Sequence, residues 1–390
     1  MERIVKGVLG GMGLLGLGLA VVGAQPAKAA EPFKIGTVLS VTGPAAFLGQ
    51  DMKDGIEIAV DEINAAGGIN GRKIEWVFYD AESQTQKALS ATRRLLNQDK
   101  VDIIVGGGSM SGIALAMAPM AEQAQVPFMS TEGAMAIVQP TADRQWVFKA
   151  TVNDDQVINR VLDYLDKKGI KKVALLADTS GFGISAVDQM KKIAPGRGFD
   201  VVYESFGPGD TDMTPQLTNI KESGAEAIIC WTVTPAGVVF LKQAHQLGLG
   251  DKTLIHSYGF VSQRYMDLAG DATKNLLLVS VKFPVGDQLP DGDPLKQAIV
   301  ELIDKYKARY GHDPNLYAAE TYDALYLAKL ALEKGGDDKE KVREALEQIK
   351  GYRGVSGVFN FSAENHSGLS KDDIVMIDWG NGRFNLADYK

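Results

Sequence analysis

FKIGTVLSVTGPAAFLGQDMKDGIEIAVDEINAAGGINGRKIEWVFYD, residues 33–80, is the stretch that decides the fold. Residues 33–39 read as a strand, and residues 40–49 as a loop holding Thr42-Gly43-Pro44. Met52, Ile56, Ala59 and Ile63 recur at helical spacing, which predicts a helix over residues 51–66. Gly67-Gly68 stops that helix, and residues 74–79 read as a second strand. Strand, helix and strand in this order make a βαβ unit with parallel strands.

The same rhythm continues on the C-terminal side. A helix is expected over residues 84–99, a strand over 101–105, a tight loop over 106–111, a helix over 112–123 and a strand over 127–130. The pattern restarts after residues 147–155. Helices over 157–168, 183–193, 213–223 and 235–247 then alternate with strands over 172–177, 200–206, 227–231 and 253–257. Beyond Pro284 come three helices, near 294–310, 315–335 and 338–351, and strand-like segments at 357–361 and 374–379. Two similar α/β halves therefore lie in series. A chain of this length exceeds one comfortable core. No long hydrophilic linker separates the halves, which favours lobes joined by crossing strands over lobes joined by a tether.

On the N-terminal side, residues 1–6 carry Arg3 and Lys6, residues 7–22 are uncharged and apolar, and Ala27-Lys28-Ala29 offers a small-x-small cleavage site. This is the layout of a secretory signal peptide cleaved near Ala29 or Ala30, and its apolar run is short for a membrane span. Cys230, the only cysteine, lies far from the cleavage point, where no thiol is available to carry a lipid. The expectation is a protein outside the cytoplasmic membrane, in a bacterial periplasm, where few ATP-, NAD- or CoA-dependent activities make sense. Gly11-Met12-Gly13-Leu14-Leu15-Gly16 matches a dinucleotide fingerprint, but no strand precedes it and it falls inside the leader.

Residues 1–29 contain Arg3, Lys6, Lys28 and Glu2; without them the counts fall from 41 basic and 49 acidic residues to 38 and 48, a net of −10. That balance argues against nucleic acid as a partner and suits a protein that stays off anionic membranes. A single cysteine excludes an internal disulfide, and Cys230, following Ala227-Ile228-Ile229, reads as a packed thiol. His245, His256, His312 and His366 show no ligand spacing, so neither a metal nor a cofactor is expected. His245 and His366 read as solvated. Asp212 reads as a helix N-cap in preference to a metal ligand. No G-x-S-x-G elbow and no P-loop occurs after the leader.

Gly106-Gly107-Gly108-Ser109-Met110-Ser111 lies at the carboxyl end of a strand and just before a helix, the place where open parallel sheets bind ligands. Glycine lets backbone approach a ligand closely, and the helix N-terminus offers unsatisfied N–H groups. With the Ser109 and Ser111 hydroxyls, the loop is a candidate carboxylate cradle. A plain glycine turn with Ser111 as N-cap fits the residues equally well.

The first strand, the Thr42-Gly43-Pro44 loop, the helix end at residues 63–71 and the strand end Tyr79-Asp80 resemble the leucine/isoleucine/valine-binding protein family. The likeness continues, in order and at family spacing, through residues 114–127, 210–217, 317–324 and 352–361. Members are periplasmic solute-binding proteins of ABC transporters. The resemblance implies a type I periplasmic binding protein: an α/β chain of two doubly wound parallel-sheet lobes joined by three hinge crossovers, closing over a ligand in the cleft. It implies one lobe of residues 31–150 and 284–355 and another of residues 151–283 and 356–390. It implies a receptor without catalysis, whose partners are a small-molecule ligand and the membrane permease and ATPase subunits; a monomer is expected. It sets Phe47, Leu48, Ser109, Met110, Ser111, Glu132, Gly133, Ala134, Phe182, Thr234 and Tyr258 as ligand-binding candidates.

Amino-acid-binding members hold the α-carboxylate with hydroxyls and N–H groups, and the α-ammonium with an acidic side chain of the second lobe. Here Ala134 stands at a usual threonine position of the second carboxylate loop, and Glu132 takes a small-residue position beside it. The ammonium-binding glutamate aligns with Tyr258, which supplies no negative charge. A buried ammonium without a carboxylate is strongly disfavoured. Unless Glu132 or Asp155 substitutes, the expected ligand is a carboxylate with an uncharged body, such as an aromatic or short organic acid; a branched-chain or other amino acid is the alternative. Phe182 and Tyr258 offer ring contacts to a flat ligand, whereas Trp231 and Phe260 read as core. Two other classes are a ligand sensor on the same fold and an envelope enzyme. The enzyme would need a nucleophile with a base in reach, and the sequence offers no recognisable pair.

Overall fold

The computed structural model describes residues 31–389 and Gly7; the leader expected over residues 1–29 otherwise lies outside the described residues. The first sheet contains β1 (Phe33–Leu39), β2 (Ile74–Asp80), β3 (Ile103–Gly107), β4 (Phe128–Ser130) and β5 (Val147–Lys149), all parallel, in the order β2-β1-β3-β4-β5. Its connecting helices are α1 (Ala46–Ala65), α2 (Thr85–Arg94) and α3 (Ser111–Ala124). The chain then crosses to a second sheet through α4 (Asp154–Lys167). There β6 (Lys172–Asp178), β7 (Asp200–Phe206), β8 (Ala227–Trp231), β9 (Thr253–His256) and β10 (Leu276–Val281) alternate with α5 (Gly181–Ile193), α6 (Thr214–Ser223), α7 (Ala236–Gln246) and α8 (Gln263–Ala269).

The chain next returns to the first half with α9 (Lys296–Tyr310), α10 (Leu316–Gly335) and α11 (Lys339–Glu347), α10 lying along α1. A short ribbon of β11 (Tyr352–Arg353) and β12 (Val358–Phe359) follows. A third passage completes the second sheet with β13 (Ile374–Gly380) and β14 (Arg383–Asp388), both antiparallel to their neighbours, in the order β14-β13-β10-β9-β8-β6-β7. Among the described residues no helix is long and apolar enough to cross a membrane.

Most expected elements are present with shifted ends, and α1 begins at Ala46 in place of residue 51. The sequence reading omits α8, β5, β10, β11 and β14. Leu276–Val281 is a nearly unbroken buried run, and such a run carries no alternation by which to recognise a strand. Asp212 acts much as expected, its Oδ1 accepting the Thr214 N–H at 2.9 Å, although Met213 occupies the cap position. Cys230 is buried in β8, and burial pushes its thiol pKa up.

His366 is a correction. It is 1% exposed, not solvated. Its ring stacks on Phe148 with centroids 4.1 Å apart, and Nδ1 lies 2.9 Å from the Val147 carbonyl oxygen. The Lys149 N–H donates to the His366 carbonyl at 2.8 Å, so this turn covers the edge of β5, and burial lowers the imidazole pKa. His245 is half-buried.

Helices α1 and α10 approach closely because Gly55 has no side chain: a Cβ there would lie 2.2 Å from the Ala318 carbonyl oxygen. Backbone cannot yield as a side-chain tip can. Gly55→Ala is therefore expected to destabilise the protein by about 1–3 kcal/mol, as overpacking does. Urea unfolding measures it, and unchanged stability would contradict the close approach of these helices.

Candidate functional site

The loop after β3 is built to point N–H groups inward. Gly106 (φ 90°), Gly108 (φ 77°) and Ser109 (φ 66°) adopt left-handed backbone, and such turns gather successive N–H groups into an anion-binding concavity. A serine in that region is strained, and its hydroxyl is held by the Ser40 N–H at 3.1 Å. The occupant of the concavity is the protein's own Glu132. Gly107 and Ser109 N–H groups donate to Oε1 at 2.9 and 3.0 Å; the Ser130 hydroxyl and the Thr131 N–H donate to Oε2 at 2.5 and 3.0 Å. A Cβ on Gly107 would fall 2.3 Å from Glu132 Oε2, so only glycine admits this carboxyl. Burial pushes the Glu132 pKa up while the four donors oppose the rise. This corrects the expected cradle: its N–H groups at 107 and 109 are already engaged.

Beside it lies a cavity of about 330 Å³. Leu48, Ser109, Met110, Ser111, Glu132, Gly133, Phe182, Thr234 and Tyr258 line it, as do Met52, Thr131, Val233, Tyr317 and Glu320, which the sequence reading did not select. Phe47 and Ala134 are not in its lining. Phe47 meets Tyr265 edge-on at 5.2 Å and faces a wider groove of about 1060 Å³, while the Ala134 N–H donates to Ser111 Oγ at 3.2 Å. Asp155 does not line the cavity either. Among the described residues, the lining holds two carboxyl groups and no lysine, arginine or histidine.

Donors remain for a ligand. Ser111 Oγ accepts from Ala134 and keeps its proton for donation. Thr131 Oγ1 is buried without a partner. The first-turn N–H groups of α3 add a partial positive charge. Helix α5 starts opposite, with Ser180 Oγ accepting from the Phe182 and Gly183 N–H groups, and a Cβ on Gly181 would lie 3.2 Å from the Gly112 nitrogen.

The two halves meet over small residues. Tyr258 packs edge-on against Phe182 (5.3 Å) and Trp231 (6.0 Å), and a Cβ on Gly133 would lie 1.9 Å from Tyr258 Oη. The Tyr317 hydroxyl of α10 donates to the Gly259 carbonyl at 2.6 Å. Beneath, Lys149 Nζ donates to the Gly133 carbonyl at 2.5 Å, and burial lowers its pKa to about 8 against the pull of Asp154. Asp154 accepts from Ser185 Oγ and the Met135 N–H; burial raises its pKa to about 6 against the pull of Lys149. Glu320 Oε1 accepts from Thr151 Oγ1, and burial pushes that carboxyl well above its ordinary range. Among the described residues, no group of three or more His, Cys, Asp or Glu side chains is arranged to hold a metal.

Asp154 generates a pH prediction. Its folded pKa of about 6 exceeds the ordinary 3.8, so the folded state keeps this proton longer than the unfolded chain. Stability is therefore lost as pH rises between these two values. Asp154→Asn removes that loss, and its unfolding midpoint is expected to fall less steeply than the wild type's between about pH 4 and pH 6. Equal slopes would contradict the assignment.

Residues 32–382 match the model of the family described as periplasmic binding protein. Leu/Ile/Val-binding protein homolog 7 of Brucella abortus (strain 2308) is 26% identical over 383 residues, covering 95% of this chain and 94% of that one. The leucine-, isoleucine-, valine-, threonine-, and alanine-binding protein of Pseudomonas aeruginosa is 27% identical, with 93% and 94% covered. Among solved structures, the branched-chain amino acid transporter substrate-binding protein LivJ of Streptococcus pneumoniae, in complex with isoleucine, has a TM-score of 0.77 at 28% identity over 92% of this chain and 99% of that one. An extracellular ligand-binding receptor of Rhodopseudomonas palustris HaA2 shares the fold, with a TM-score of 0.83 at 24% identity over 91% of this chain and 99% of that one. Each of these relatives is named as a binding protein or a ligand-binding receptor. With two α/β lobes built on largely parallel sheets, a cavity lined from both and a family match along almost the whole described chain, this protein belongs to the periplasmic binding protein family.

Proposed function

We propose that the protein is the solute receptor of an ABC importer of the branched-chain-amino-acid type, and that it takes a compact carboxylate-bearing solute with an apolar body. Residues 1–29 act as the export leader, and the receptor works in the periplasm. Residues 31–150 with 284–355 move as one lobe, and residues 151–283 with 356–390 as the other. The closed form docks on a permease whose ATPase drives uptake.

The observation that carries this reading is the composition of the cavity. Ser111, Thr131 and the start of α3 supply donors at one place, and Leu48, Met52, Phe182 and Val233 supply apolar walls from both halves. Its volume, about 330 Å³, suits a small solute. The names of the Pseudomonas and Streptococcus relatives support amino acids within this class. A second reading, an amine-free aromatic or short organic acid, is favoured by Tyr258, which brings a hydroxyl and no charge to the ammonium position.

Thermal unfolding with leucine, isoleucine, valine, phenylalanine, 4-methylpentanoate and 3-phenylpropanoate tests the proposal. A solute present at a hundred times its Kd stabilises by about 2.7 kcal/mol, a clear rise in midpoint. At least one of these solutes is expected to produce it; a flat panel would contradict the reading. Gly133→Ala, whose methyl meets Tyr258, is expected to weaken the stabilising solute by about tenfold in calorimetry. Undiminished affinity would contradict binding between the halves.

A further inference from the structure

The two carboxyl groups of the cavity differ in what holds them. Glu132 has four donors. Glu320, on α10 one turn beyond Tyr317 and 1% exposed, has one, the Thr151 hydroxyl. A buried carboxylate with so few donors is costly unless a cation joins it. The nearest buried cation is otherwise directed: Lys149 Nζ donates to the Gly133 carbonyl. In the same lining, Thr131 Oγ1 is buried at 2% exposure without a partner.

We propose that Glu320 receives an ammonium group of the solute, so that the ligand is an amine-bearing carboxylate with its acid end on Ser111, Thr131 and the first turn of α3. This rests on the cleft reading above and narrows it. The acid absent at Tyr258 in the second half is supplied from α10, which packs on the first. Both charged ends of the solute are then gripped by one half, while Phe182 and Tyr258 of the other close over its body.

The titratable groups around Glu320 are Lys149 on β5, Glu132 beyond β4, Asp323 and Tyr317 on its own helix, and Tyr258 beyond β9. Burial outweighs them and pushes the Glu320 carboxyl well above its ordinary range in the free cleft. An arriving ammonium stabilises the ionised form. The carboxylate pairs with the ammonium, and the geometry of the cleft needs no other cation.

Calorimetry of the wild type and Glu320→Gln with two matched pairs, leucine against 4-methylpentanoate and phenylalanine against 3-phenylpropanoate, tests this. Glutamine mimics the protonated side chain in size and keeps an acceptor for Thr151. The wild type is expected to prefer the amine-bearing member of a pair. Glu320→Gln is expected to lose roughly thirtyfold or more of that affinity, the cost of removing one partner of a buried charge pair. Affinity for the acid should change by less than about threefold. Equal amino-acid affinity in wild type and variant overturns the assignment. Binding of the acids without the amino acids overturns it too and leaves the cleft reading standing. Binding of none of the four overturns both.

Discussion

The site depends on one carboxylate kept inside the protein. Glu132 fills the concavity after β3, and its four donors come from β3, β4 and the loops beyond them. The Ser40 hydroxyl donates to the Gly108 carbonyl at 2.8 Å and accepts the Ser83 N–H at 3.1 Å, which joins the ends of β1 and β2 to the same network. The carboxyl ends of four neighbouring strands are thus fixed against one another. The binding surface is displaced outward, from the glycine N–H groups to Ser111, Thr131 and the helix start beside them. A charge buried with this many donors is tolerated, and it fixes the loop in a backbone that would otherwise relax.

The second constraint is the closeness of the two halves. Gly133 and Gly181 lie where a methyl group would strike Tyr258 or the start of α3 in the other half. Tyr317 to Gly259, Met135 to Asp154 and Ser185, and Thr151 to Glu320 are hydrogen bonds that join the halves around the cavity. Met52, Ile56, Ala59 and Ile63 of α1 face the core on the first half's side.

Much of this was legible in the sequence. The helical spacing in residues 51–66 and the repeated strand–helix alternation gave two α/β halves, because amphipathic periods survive without tertiary information. The strand-end loop at 106–111 was read as part of the site, and its serines and Met110 line the cavity. What was missed depends on distant pairs. No period connects Glu132 to Gly107, so the loop's occupant was hidden. His366 looked solvated because its partners, Phe148 and Val147, lie far back in the chain. Glu320 did leave a trace: Tyr317, Glu320, Ala324, Leu327 and Ala331 share one helical stripe, all buried, and an acid on such a stripe needs a reason.

A crystal structure of the protein with the solute that stabilises it most tests the account at its centre. The account predicts Glu132 still accepting from the Gly107 and Ser109 N–H groups, with the solute's carboxylate on Ser111 and Thr131 between the two halves. A solute carboxylate seated on the Gly107 and Ser109 N–H groups, with Glu132 turned away, would contradict it.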